Sequence, residues 1–277
     1  MLGTAACAPF VRASLTAVAH GVLGVFLWSV TTLAVASEPA TRSEQWQEIE
    51  YLVMETQGGS ADDRLPLVIA LHASGSQPET LAPALAGLSE RARIVLPRGA
   101  FARPTGWSWF PKGMGDLPAP DQARLIAATE AGLSDLIDQL QRRYPSQGRP
   151  LLTGVSYGGD LSLLLLLHAP DRYGAAFPIA ARLLPQWQSS AVACGDHCPP
   201  IHALHGRDDT TVPMAPTAAA LQQLAAQGRQ VSIQGYADTG HDFTAAMQAD
   251  VRAAIAAQIR AAAGGDKVGE ITRPAGN

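Results

Sequence analysis

The feature that most constrains this chain is a run of six residues, Gly154-Val155-Ser156-Tyr157-Gly158-Gly159. It stands between an apolar stretch of strand length, Leu151–Val155, and an almost wholly apolar helical stretch, Tyr157–His168. A strand buried on both faces that passes straight into a buried helix belongs to a layered α/β structure, a mostly parallel sheet covered by helices. The turn between them is so tight that its central residue takes a strained backbone conformation. Positions two residues away on either side must then be glycine. Ser156 at that turn also sits at a helix N-terminus, where partial positive charge favours negative charge developing nearby. A bare G-x-S-x-G is a weak signal, and a glycine-rich turn with an incidental serine is the competing reading. The strand-to-helix context gives the motif its weight.

The rest of the chain alternates in the same way. Leu65–Leu71 is a continuous apolar run, and Arg93–Leu96, Ala175–Ala180, Ile201–Leu204 and Val231–Tyr236 are shorter ones, all read as strands. Trp46–Met54 alternates polar and apolar residues and reads as an early edge strand, with a hairpin turn at Gly58-Gly59. Helices are expected at Pro78–Leu88, Asp121–Tyr144, Pro216–Gln227 and Phe243–Ala263, the second with Leu125, Leu133, Leu136, Ile137 and Leu140 inward. No linker or repeat interrupts the series, so one domain over 37–263 accounts for it. The stretch 264–277 reads as a flexible tail.

The first 36 residues read as an export signal. Residues 21–36 carry no charge, follow Arg12 and end in Ala34-Val35-Ala36, a small-x-small cleavage pattern. An uncleaved membrane anchor is the alternative, although the run falls short of the roughly 20 residues that span a bilayer. Cys7 precedes the apolar run and so does not suit a lipoprotein. Cleavage would leave 241 residues and, with Arg12 gone, move the formal charge from −4 to −5. Such a chain has no basic field to hold nucleic acid. It is expected in the periplasm or outside the cell, without stable membrane insertion. There Cys194 and Cys198 would form a local disulfide. A zinc site using His197 and His202 is the alternative, but it completes no standard four-ligand spacing.

A serine nucleophile needs a base, and the base needs an orienting carboxylate. Downstream, the strand Ile201–Leu204 leads into His205-Gly206-Arg207-Asp208-Asp209, and Val231–Tyr236 leads into Asp238-Thr239-Gly240-His241. The order serine, aspartate, histidine is that of the α/β-hydrolases. From about residue 65 to 255 the chain resembles their phospholipase/carboxylesterase branch, which includes the acyl-protein thioesterases and compact bacterial esterases. Its H-G-x-x-D-x-x-V-P motif matches His205, Gly206, Asp209, Val212 and Pro213. The resemblance therefore implies Asp209 rather than Asp208 as the acid, which position alone leaves open. His241 is the expected base, with a solvent-exposed residue beside a helix as its bland reading. His72 and His205 recur in the family's loop patterns as structural residues.

Two backbone N–H groups must receive the oxyanion. One is expected at Tyr157, next to the nucleophile. The resemblance puts the other at Ser74, because Leu71-His72-Ala73-Ser74-Gly75 stands where the family has L-H-G-x-G. Ala73 replaces a glycine and fits unless its φ is positive. The stretch Arg98–Pro120 reads as a long irregular loop, and its Trp107, Trp109 and Phe110 are candidates for a substrate pocket, with packing as the alternative. Only about 20 residues separate the strands Ala175–Ala180 and Ile201–Leu204, too few for a helical cap. The expected function is an exported serine hydrolase of small carboxylic esters needing no metal or organic cofactor. Thioester, peptide or polyester cleavage by the same residues, and a non-catalytic binding protein on this fold, are the alternatives. Oligomeric state and the natural acyl and alcohol groups leave no trace in the sequence.

Overall fold

The computed structural model describes residues 39–271 except 196 and 197. Residues 1–36, read above as an export signal, and His197 lie outside them. An eight-stranded sheet is formed by β1 (Arg42–Trp46), β2 (Ile49–Glu55), β3 (Leu65–Leu71), β4 (Arg93–Pro97), β7 (Ser146–Val155), β8 (Ala175–Ile179), β9 (Ile201–Gly206) and β10 (Val231–Tyr236). Its spatial order is β1-β2-β4-β3-β7-β8-β9-β10. The β1–β2 and β2–β4 pairs are antiparallel and the other pairs parallel. The inner stretches of the central strands, such as Leu67–Leu71, Ile94–Leu96 and Ala175–Ile179, are apolar because both faces are covered.

Alternate side chains of β3 divide between two cores. Leu67, Ile69 and Leu71 join a cluster with α2 (Ala119–Arg143), α3 (Tyr157–His168) and α5 (Met214–Ala226). Val68 and Ala70 join a second cluster with α1 (Leu81–Ala86) and α6 (Ala245–Ile271). Helix α3 is the most buried of these, with every residue from Gly158 to Leu167 inside. Along α2, Leu133, Leu136, Ile137 and Leu140 face inward as the spacing requires, and Leu125 packs at the margin.

Four sequence expectations need correction. Trp46 ends β1 and Ile49–Met54 belong to β2, the two strands being joined as a hairpin at Gln47-Glu48 and not at Gly58-Gly59. Gln47 takes the positive φ of 50° that a glycine would usually supply, so no turn signal marks the place. The stretch Arg98–Pro120 contains an antiparallel hairpin of β5 (Phe101–Arg103) and β6 (Gly106–Ser108), whose strands are too short to show alternation. Strand β9 runs on to Gly206, so His205 belongs to the strand rather than to the loop. Helix α6 continues past Gly264 to Ile271. The three helical glycines, Gly264, Gly265 and Gly269, cost about 1 kcal/mol each, whereas every added residue of a nucleated helix gains a hydrogen bond. Among the described residues between β8 and β9 the α-helical stretch is the five-residue α4 (Pro185–Ser189), in keeping with a site that has no large helical cap.

Candidate active site

All the residues singled out by motif lie at the carboxyl ends of parallel strands, where ligands of open α/β sheets bind. Ser156 joins β7 to α3 with φ 55° and ψ −121°, a conformation that costs on the order of 1–3 kcal/mol for a residue with a side chain. Its own N–H donates to the Ile179 carbonyl at 2.9 Å, which helps hold the strained turn. The flanking glycines are sterically required. A Cβ on Gly154 would enter the Gly158 carbonyl, and one on Gly158 would enter the Leu71 carbonyl and lie 2.7 Å from the His72 oxygen.

A hydrogen-bonded line runs from this serine. Ser156 Oγ lies 3.0 Å from His241 Nε2, and His241 Nδ1 lies 2.7 Å from Asp209 Oδ2. The second Asp209 oxygen accepts the N–H groups of Thr211 at 2.9 Å and Val212 at 2.8 Å. Burial would raise the pKa of this carboxyl. The Val212 amide, His241 and the Thr211 amide outweigh that penalty and hold it below the usual carboxylate range. Asp208 is exposed, so the choice between the two neighbours follows from which one is buried against the imidazole. His205 supports the acid loop by placing Nε2 2.7 Å from the Val212 carbonyl.

The two expected oxyanion donors are both open. Among the described residues neither the Tyr157 nor the Ser74 N–H has an acceptor, while Gly75 N–H donates to Trp107 and Ser76 N–H to Ala73. Ala73 does not take positive φ; Gly75, at 78°, does so for the turn. The replacement of glycine by Ala73 is thereby accommodated.

The aromatic residues of the β6 region divide between the core and its margin. Trp109 and Phe110 are both only 3% exposed, so their rings belong to the core. Trp109 stacks on His72, and Phe110 meets the Tyr157 ring edge-on at 5.2 Å. Trp107 is half-buried beneath the Arg98 guanidinium. An apolar cavity of about 260 Å³ runs between Trp109 and α2, but Ser156, Asp209 and His241 do not line it. Trp109 and Phe110 are thus packed into the core, with Trp109 also bordering that cavity, while Trp107 keeps a partly exposed ring.

Cys194 and Cys198 are joined as a disulfide with their Cα atoms 5.0 Å apart. His202 is engaged elsewhere, 3.0 Å from Ser232 Oγ and stacked on Phe177. Among the described residues no group of three or more His, Cys, Asp or Glu could hold a metal ion, so the zinc alternative has no support there.

Asp160 and Arg182 form an ion pair that no motif marks. Asp160 is 1% exposed in the first turn of α3, directly beneath the serine turn. It accepts the Arg182 N–H at 2.6 Å, Nε at 3.0 Å and Nη2 at 2.6 Å. Burial would lower the Arg182 pKa, but Asp160 more than compensates and keeps the guanidinium charged. Arg182 in turn lies over the Tyr157 ring, 4.6 Å from its centroid. One charged residue inside an otherwise apolar helix was the signal available for this pair.

Comparison with known proteins gives a consistent result. The family model described as Phospholipase/Carboxylesterase matches residues 59–259. No curated protein sequence matches the chain. Among solved structures, the chain is similar to a Bacillus cereus carboxylesterase, at TM-score 0.61 and 14% identity over 74% of this chain and 92% of that one. It is also similar to Zea mays acyl-protein thioesterase 2, at TM-score 0.60 and 18% identity over 76% and 98%. Esterase PE8 gives TM-score 0.61 and 19% identity over 70% and 93%.

Proposed function

The chain belongs to the phospholipase/carboxylesterase family and has the α/β-hydrolase fold, and we propose that it hydrolyses small carboxylic esters through an acyl-enzyme on Ser156. The observation that carries this reading is the unbroken line from Ser156 Oγ through His241 to the buried Asp209, beside two amides that have no acceptor among the described residues. In this reading His241 Nε2 takes the serine proton as Oγ attacks the ester carbonyl. Asp209 holds Nδ1–H and stabilises the imidazolium that results. The Tyr157 and Ser74 amides receive the oxyanion. His241 then gives its proton to the departing alcohol, and the same imidazole activates the water that releases the acid and restores Ser156.

A thioester would meet the same groups, since nothing in this machinery reads the leaving atom. The short span between β8 and β9 supports an open site and soluble substrates. Export of the catalytic domain 37–263 after loss of residues 1–36 is part of the proposal. The Cys194–Cys198 disulfide supports it, because such bonds persist in oxidising compartments. Among the described residues no helix is long and apolar enough to cross a membrane.

The test is rapid mixing with a chain-length series of p-nitrophenyl esters. A burst of p-nitrophenol equal to the enzyme concentration, with the best chain length marking pocket depth, supports the reading. Absence of any burst or turnover on every ester, with thioesters equally inert, would favour a binding protein on the same fold.

A further inference from the structure

The loop that follows β3 contains a histidine whose two ring nitrogens are both committed. His72 is fully buried. Its Nε2 accepts the Gly99 N–H at 3.0 Å and therefore carries no proton. The proton must then sit on Nδ1, which donates to the carbonyl of the next residue, Ala73, at 2.8 Å. Burial also pushes the ring pKa down, in agreement with a neutral imidazole. The ring is clamped from outside by Trp109, which stacks at 4.8 Å and donates Nε1–H to the His72 carbonyl at 2.8 Å.

The Ala73 carbonyl shares a peptide plane with the Ser74 N–H. In a trans peptide these two groups point in opposite directions. Drawing the Ala73 oxygen toward the buried imidazole therefore turns the Ser74 N–H the other way, to the side where it has no acceptor among the described residues. The loop itself adjoins the serine turn, because Gly158 packs so closely on the Leu71 and His72 carbonyls that no Cβ fits between. The Ser76 N–H also reaches the Ala73 oxygen, at 3.1 Å, but this is the longer of the two bonds.

We propose that His72, locked as the neutral Nδ1–H tautomer, is a positioning residue that aims the Ser74 amide at the oxyanion. The proposal rests on the ester-hydrolase reading above. It also gives Trp109 a task other than lining a pocket, that of holding the His72 ring in place.

Two substitutions separate the bonds. In His72→Asn the side-chain amide sits where Nδ1 was and can still donate to Ala73, whereas in His72→Gln it reaches the Nε2 position and leaves Ala73 unheld. Loss of a whole oxyanion donor costs about 10²–10³ in turnover. With the Ser76 bond remaining, His72→Gln should lose about 10- to 100-fold in kcat with KM nearly unchanged, and His72→Asn less than about 5-fold. Affinity for a trifluoromethyl ketone should fall in step with kcat/KM across the set. Equal losses in both variants, or a kcat for His72→Gln close to that of the unaltered protein, would overturn the proposal. If His72→Gln does not fold, nitrogen NMR of the unaltered protein at about pH 8 decides: a bare Nε2 and protonated Nδ1 supports it, and the other tautomer overturns it. An unaltered protein that neither hydrolyses esters nor accepts a phosphonate would instead show that the underlying reading fails.

Discussion

Asp209 presents one oxygen to His241 Nδ1 at 2.7 Å and commits the other to the Thr211 and Val212 amides. The carboxylate cannot rotate without losing three hydrogen bonds, so the imidazole it holds is fixed in one plane and one tautomer. Asp209→Asn should therefore lower kcat by about 10³–10⁴ with little change in KM, because an amide there offers the ring the wrong partner. Asp208→Asn, an exposed change, should stay within about 3-fold of the unaltered enzyme. Steady-state kinetics on one ester reads both, and a larger loss at Asp208 would reverse the assignment.

Gly158→Ala should abolish the native turn. The new methyl would occupy the space of the Leu71 carbonyl, and backbone on both sides leaves it no room to shift. A drop of more than about 3 kcal/mol in denaturant-derived stability, or insoluble expression, is expected. Gly115→Ala meets nothing within 4 Å and should lie within about 0.5 kcal/mol of the parent.

The motifs carrying the site were legible because each has a fixed relation to a strand. Leu65–Leu71 and Val231–Tyr236 are strands at the boundaries their apolar patterns mark, and Ser156, Asp209 and His241 follow strands in the order the chemistry needs. The hairpin at Gln47 was illegible because a glutamine stands where a glycine was expected. The pairing of Asp160 with Arg182 spans 22 positions, and no local pattern joins them. Trp109 and Phe110 read equally well as pocket or core. Only their burial against His72 and Tyr157 distinguishes the two.

His168 gives a dependence of stability on pH. It lies 2.9 Å from Glu130, whose hydrogen bond raises the histidine pKa above its ordinary 6.5 against the opposing effect of burial. A raised folded-state pKa adds stability that is fully present below pH 6.5 and disappears as pH rises through the folded value. Glu130→Gln should thus destabilise the protein near pH 5.5 and have little effect near pH 9. Because the ring is partly solvated, the loss should not exceed about 1 kcal/mol. Equal destabilisation at both pH values would contradict this.

Reduction of the Cys194–Cys198 bond should be mild. The loop it closes is so short that chain entropy assigns it roughly 2 kcal/mol at most. A paired Cys194→Ser, Cys198→Ser variant should keep kcat/KM within about 2-fold while melting only a few degrees lower.

The chain offers its own internal control for the central claim. Ser190 Oγ lies 2.8 Å from His168 Nε2, and His168 Nδ1 lies 2.9 Å from Glu130, so a second serine, histidine and carboxylate are aligned away from the first. That serine, however, donates to the Trp187 carbonyl and stands at the end of a short helix, without the strained turn of Ser156. The most direct test is treatment with a fluorophosphonate followed by intact mass and peptide mapping. One adduct per chain, on Ser156, is expected, and neither labelling nor ester hydrolysis after Ser156→Ala. An adduct on Ser190, or hydrolysis that survives Ser156→Ala, would contradict it.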